Sequence, residues 1–301
     1  MTTSVTPLGD VRVVALEAPR PRSGPARLLA APGTRLALGA LLTIAMCVLV
    51  LPLVLPHAPH EQLDLATRAL ASPRAAHPFG TDAVARDVLA RVVAGGRVSL
   101  AVAAASVLLA SALGTAWGLA AGLAGARIDA LLMRLVDAGL AVPRVLLLLV
   151  VLSLPREPSL VLLVLALGAT GWFGVARLVR TEVRRLRDAD WVLAARALGT
   201  SRRRLAWRQL LPHVLAPVLV TAALGMGNVI VLEAGLSWLG VGVQPPRASW
   251  GNIIRDGTDL LQAAPWISLA PGACLVLVVL CCTVLADGLR DALAARELPR
   301  P

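Results

Sequence analysis

TEVRRLRDADWVLAARALGTSRRRLAWRQLLPHVLAP, residues 181–217, is polar and arginine-rich inside a chain that is otherwise mostly apolar. At a 3.6-residue period Trp191, Ala194, Ala195 and Leu198 fall on one helical stripe, and Gly199 follows where a C-terminal cap glycine belongs. The spacing therefore predicts a short helix that ends there. Thr200 or Ser201 is placed to cap a second helix, with Arg202, Arg203, Arg204 and Arg208 on its wet face and Leu205, Leu210 and Leu211 on its dry one, until Pro212 interrupts it. Paired alanines on an exposed helix leave a shallow surface that another protein can approach closely, and the glycine sets the angle of approach. Helix, glycine, helix predicts a docking knob.

A mean hydropathy of +0.76 and 57% apolar residues are too high for a soluble domain, and 301 residues suffice for several membrane spans. The formal charge of +11 comes from 29 arginines, with no lysine, against 18 acids. A nucleic-acid binder could share that sum but not the long apolar runs between the charges. Ten arginines fall between Arg177 and Arg208 against Glu182, Asp188 and Asp190, which under the positive-inside rule puts this loop in the cytoplasm. Cys47, Cys274, Cys281 and Cys282 all sit in apolar runs without ligand-spaced partners, so they read as small core or lipid-facing residues. With no tyrosine, tryptophan supplies the interfacial anchors, and Trp172, Trp191, Trp250 and Trp266 flank the predicted spans.

Working outward from the knob, the apolar runs give six spans: Leu36 to Leu55, Val98 to Leu123, Ala130 to Leu152, Leu160 to Val179, Val214 to Leu236 and Ile267 to Leu285. Residues 1–34, rich in Pro and Arg, are expected to be a disordered cytoplasmic tail, with no cleavage site to make the first span a signal peptide. Residues 35–97 hold the first span and an external segment of nearly balanced charge. There Asp82 is a helix-cap candidate, and Asp82 with Arg86 and Asp87 with Arg91 form i,i+4 pairs, each contributing about 0.3–0.5 kcal/mol if exposed. Residues 98–288 form the core, containing the loop 181–213, and residues 289–301 a cytoplasmic tail. In the second span Gly114, Gly118 and Gly122 recur every four residues, a stripe that lets helices approach. The third carries Arg134 and Asp137 near its cytoplasmic end, best read as a structural pair, and Pro143, which bends it. The fifth holds Asn228 and, near its outer end, Glu233. The loop after it, with Pro245-Pro246, has the turn chemistry of an external re-entrant or interfacial segment.

Four stretches also resemble one family. AARALG (Ala194 to Gly199) followed by Leu211 and Pro212 is similar to the "EAA" signature of permease subunits of ATP-binding-cassette importers, whose cytoplasmic loop fits a groove on the ATPase. The glutamate of that signature is Leu193 here, which leaves shape complementarity to make the contact. HPFGTDAVARDVLAR (His77 to Arg91) resembles the HPFGTDxxGRDxxSR segment of the C-type permeases of dipeptide, oligopeptide and nickel transporters, with Ala85 for glycine and Ala90 for serine. SWLGVGVQPPRASWG resembles LSFLGLGVQPPxPSWG, with Trp238 for phenylalanine, and ADGLRDAL matches GDGLRDAL apart from Ala286.

The resemblance implies an all-α, six-span type I importer permease in a bacterial cytoplasmic membrane, in contact with lipid, with both termini cytoplasmic. Its implied partners are a homologous permease in a heterodimer, two ATP-binding subunits and an extracytoplasmic substrate-binding protein. ATPase coupling falls to Asp190, Ala194, Ala195, Leu198, Gly199, Leu211 and Pro212, and the external motif to Gly80, Thr81, Asp82, Arg86 and Asp87. No cofactor is expected, because the partner subunits bind the ATP: without lysine there is no G-x-x-x-x-G-K-[ST] loop, and neither HExxH nor GxSxG occurs. His57 and His60 lie together on the outer side, where solvation is preferred over nickel binding. An ion-coupled secondary carrier or channel is the rival class. It requires partly buried acids at midplane, and Asp137 and Glu233 lie toward opposite ends of their spans.

Overall fold

In the computed structural model, which describes residues 31–297 apart from 57 and 156–158, the regular elements are helices. The tail expected over residues 1–34 lies outside the described residues up to residue 30, and its end opens the first helix. In chain order the helices of eight or more residues are α1 (Pro32–Val54), α2 (Val88–Leu123), α3 (Ala126–Ala141), α4 (Arg144–Ser153), α5 (Leu160–Arg187), α6 (Asp190–Ala197), α7 (Leu211–Trp238), α8 (Trp250–Thr258) and α9 (Trp266–Glu297). Among the described residues α1, α2, α5, α7 with the turns before it, and α9 are long and apolar enough to cross a membrane. The pair α3 and α4 makes a sixth crossing if taken together, bent by 80°.

That bend is larger than a proline kink. Val142, extended at φ −86° and ψ 127° ahead of Pro143, separates two helices, because a residue before proline is driven out of the helical region. Two other boundaries move for local reasons. α2 begins ten residues before Val98, since the Asp87 carboxylate accepts from Ala90 N–H at 2.9 Å and caps the helix there. Pro212 does not interrupt its helix: a π-helical turn over Leu205–Leu210 leads straight into α7, leaving Pro212 in the first turn, where a missing N–H is harmless.

The core is built on α2 against α5. A Cβ on Gly114, Gly118 or Gly122 would stand 2.5–2.6 Å from the Cβ or Cγ1 of Val175, Val179 or Val183. The glycine stripe therefore lets α2 and α5 pack in close contact over two helical turns. α1 and α7 pack on the same α2, with α9 against α7.

The two ends of the bundle differ. One gathers the start of α1, the α2–α3 turn, the end of α5, the knob, and the last turns of α9, where Arg290 and Leu293 share a cavity with Pro212. The other gathers residues 77–91 and 237–266, joined by Trp250 Nε1 donating to Val92 O at 3.0 Å and Trp266 Nε1 to Thr81 O at 3.2 Å. Trp250, expected at the interface, is instead 1% exposed and part of the core, because the segment around α8 folds back into the bundle. Trp191 remains exposed.

Candidate functional site

The knob is held by its dry side and closed by its glycine. Val192, Leu205 and Leu210 are buried among Val183, Leu186 and Val214, so α6 is pinned to the end of α5 and the start of α7. Gly199 takes φ +81°, which L residues rarely adopt. Its N–H donates to Arg196 O at 2.9 Å and Thr200 N–H to Ala195 O at 3.1 Å, the paired bonds of a Schellman cap. Ser201 then caps the next turn through Arg204 N–H.

What projects is apolar and small. Leu198 is 88% exposed at the tip, beside exposed Ala194 and Gly199, with Leu193 and Trp191 flanking it. Asp190 and Pro212 are exposed, whereas Ala195 and Leu211 are half-buried. Trp191 stacks on His213 with ring centroids 5.1 Å apart, tying α6 to α7.

Behind the knob stands an ion network that local spacing does not show. Asp129, between the second and third expected spans, is buried at the start of α3 and accepts from Arg180 Nε and Nη2 at 2.5 and 2.6 Å and from Arg184. Two turns further along α3 Asp137 accepts from Arg177 at 2.6 Å, with both side chains exposed. The expected Arg134–Asp137 pair is therefore replaced by an antiparallel ladder between α3 and α5, and Arg134 stays exposed. The available signal was the isolation of Asp129 opposite a basic helix end. Asp129→Asn removes the charge that holds Arg180 and Arg184. It is expected to destabilise the protein by about 2 kcal/mol, discounted for the arginines' partial exposure. A melting temperature in detergent lowered by several degrees checks this.

At the opposite end the 77–91 motif folds into a second network. Asp82, 2% exposed, accepts from Arg86 Nε and Arg91 Nη1 at 2.7 Å each and from the N–H groups of Val84 and Arg86. Arg91 Nη2 continues to Asp256 at 2.8 Å, joining this motif to α8. The expected Asp87–Arg91 pair does not form. Asp87 is engaged by His77 Nδ1 at 2.7 Å and by its cap, and Arg91 turns to the acids on its other side. His77, Asp82, Asp87 and Arg91 are buried, with Arg86 and Asp256 at the margin, so the values for exposed pairs do not apply to the buried four.

Gly80, at φ +69°, lets Ala71 and Trp266 approach where a Cβ would be 2.6 and 2.7 Å from them, and Thr81 Oγ1 accepts from Ala71 N–H while donating to Arg68 O. Ala85 occupies φ +57°, the left-handed conformation for which the resembling segment has glycine. Glu233 is fully buried on α7, accepting from Ser237 Oγ at 2.7 Å, while Ser237 Oγ accepts from Val243 N–H. It lies at this end and Asp137 at the other, so the two do not share a site. His57, and with it the pairing to His60, lies outside the described residues.

A bundle of apolar helices with an apolar-tipped basic knob at one end and a largely buried charged platform at the other defines a multi-pass membrane protein. The sequence profile of the binding-protein-dependent transport system inner membrane component matches residues 114–298, and the chain belongs to that family. It is 41% identical over 255 residues to a putative peptide permease protein of Brucella suis, covering 84% of this chain and 83% of the relative. It is 42% identical to the dipeptide transport system permease protein DppC of Alkalihalophilus pseudofirmus, over 74% and 73% of the two chains. With the oligopeptide transport system permease protein OppC of Bacillus subtilis the identity is 37%, over 72% and 71%. The chain is thus a permease subunit of an ATP-binding-cassette importer of the inner membrane.

Proposed function

We propose that this subunit imports peptides, paired with a homologous permease, fed by an extracytoplasmic binding protein and driven by two ATP-binding subunits that seat on the knobs. The observation that carries the coupling is Leu198, 88% exposed at the tip of a helix whose other side is buried. A leucine so displayed is costly in water and suits a groove. The peptide assignment is supported by the dipeptide and oligopeptide permeases among its relatives. Closure of the ATPases pushes the knob. Because Val192, Leu205 and Leu210 fix it to α5 and α7, the push reaches both spans as a rigid displacement, and the Asp129 bonds pass it to α3. The path then swings from inward-open to outward-open.

The arginine bias orients the chain: knob and both termini in the cytoplasm, platform outside. Two measurements test this reading. Reconstituted with its ATPases and binding protein, the complex should take up peptide only with ATP and binding protein present. In intact cells an impermeant thiol reagent should label Arg247→Cys on the platform and spare Arg203→Cys on the knob. The reverse pattern overturns the orientation, and ATP-independent uptake overturns the importer reading.

A further inference from the structure

At the knob end a cavity of about 890 Å³ opens between α5 and α7, lined by Leu178, Glu182 and Arg185 on α5 and Pro217 and Thr221 on α7. Helical register carries both lining faces deeper into the membrane. Seven residues back from Leu178 is Gly171, with Gly174 between them, and a side chain built on Gly174 would meet nothing within 4 Å. Seven residues on from Thr221 is Asn228, exposed, with Leu224 between them. The two walls of the cavity thus continue upward as a small-residue face of α5, open at Gly174 and closed at Gly171 by Ala110 and Arg144, and a face of α7 that carries an amide.

Two polar groups stand at that depth, one without a side-chain hydrogen bond and one without a counter-charge among the described residues. Asn228 lies ten residues inside the end of α7, about 15 Å into the span, and makes no hydrogen bond among the described residues. Arg144, the first residue of α4, donates from Nη2 to Leu167 O at 2.8 Å and from Nε to Thr170 Oγ1 at 3.1 Å. The same Nη2 lies 3.1 Å from where a side chain on Gly171 would start. Arg144 therefore lies where the cavity face of α5, at Leu167 and Gly171, borders the face that meets α3, which Thr170 shares with Arg177. The 80° break at Pro143 turns α4 off the axis of α3 and brings it to this border. No carboxylate among the described residues pairs with Arg144, and the Nη1 hydrogens have no recipient there. An unpaired cation within a span belongs beside water or an anionic cargo rather than lipid.

We propose that this cleft is the chain's wall of the translocation path and that Arg144, with Asn228 on the opposite wall, receives the carboxylate end of the transported peptide. The ligand rests on the peptide reading above, whereas the path does not. A peptide of any sequence presents a carboxylate, so one guanidinium on the path gives a side-chain-independent handle. The amide of Asn228 offers both a donor and an acceptor to the backbone beside it.

The test uses the assembled complex, with Cys47, Cys274, Cys281 and Cys282 of this chain replaced by serine. Single cysteines are placed at Asn228, at Gly174 and, as a lipid-facing control, at Leu165. Anionic and cationic methanethiosulfonates of similar size are compared at each. Asn228→Cys and Gly174→Cys should react while Leu165→Cys does not. The anionic reagent should be favoured by about tenfold over the cationic one, as expected of a fixed positive charge at short range. Arg144→Gln should bring that ratio close to one, and Arg144→Lys, which keeps the charge but loses the fork, should preserve it. Transported peptide should slow labelling at Asn228→Cys. A cysteine at Asn228 as inert as the control, or equal rates for the two reagents with Arg144 present, overturns the inference without any Arg144 variant having to fold. So does undiminished labelling in a complex that is importing peptide. Labelling as described in the cysteine variants, together with a wild-type complex that imports no peptide, overturns the peptide reading alone.

Discussion

In proteoliposomes holding the full complex, Leu198→Asp is expected to lower binding-protein-stimulated ATP hydrolysis and peptide uptake by about thirtyfold, the scale of losing one interface hot spot of 2 kcal/mol. The side chain is 88% exposed, so the folded subunit loses little when it is replaced, and the stoichiometry of purified subunits should be close to wild type. A groove shaped for a leucine would instead have to bury a carboxylate without a partner. Gly199→Pro should give the same outcome by another route. Proline cannot take φ +81° and has no N–H for Arg196 O, so the Schellman cap opens and α6 changes its angle to the membrane. Wild-type stimulation in both variants would mean that the ATPases seat elsewhere, and that the knob serves only to hold arginines on the cytoplasmic side.

The knob and the glycine stripe were legible in the sequence because both are local. A cap glycine after an alanine helix, and three glycines at four-residue spacing, specify their own geometry through helical register. The charge networks were not, because their partners are chosen by packing. Asp129 meets Arg180 across 51 residues, and Arg91 meets Asp256 across 165. Of the pairs drawn from spacing Asp82–Arg86 forms, whereas the other two lose to partners brought in by packing, Asp82 and Asp256 for Arg91 and Arg177 for Asp137. Trp250 was misplaced for the same reason: its indole N–H finds Val92 O 158 residues away, and an interfacial tryptophan and a buried one look alike in a loop of small and polar residues. At Pro143 the position of the bend was readable. Its size was not, since α4 is turned by what it packs on: Leu148 and Leu152 are buried in the core of α2, α5 and α7.

Gly118→Leu is expected to have the largest effect on assembly. An ideal Cβ there stands 2.6 Å from Ala176 O and 2.6 Å from Val179 Cβ, and neither atom belongs to a flexible chain end. α2 and α5 must move apart over the length of the stripe, opening the contacts at Gly114 and Gly122 as well. The cost should exceed the roughly 1–3 kcal/mol typical of overpacking, because a backbone carbonyl is among the atoms displaced. The recovered monodisperse complex should fall by about tenfold. Gly39→Leu, on α1 where an added Cβ meets nothing within 4 Å, should leave it unchanged. Normal recovery with Gly118→Leu would show that α5 is not held against α2 as described. If some complex survives, its defect is informative. α5 carries the knob at its end, so a displaced α5 should leave ATP hydrolysis less responsive to the binding protein even in the fraction that folds, and restoring space with Val179→Ala should recover yield and response together.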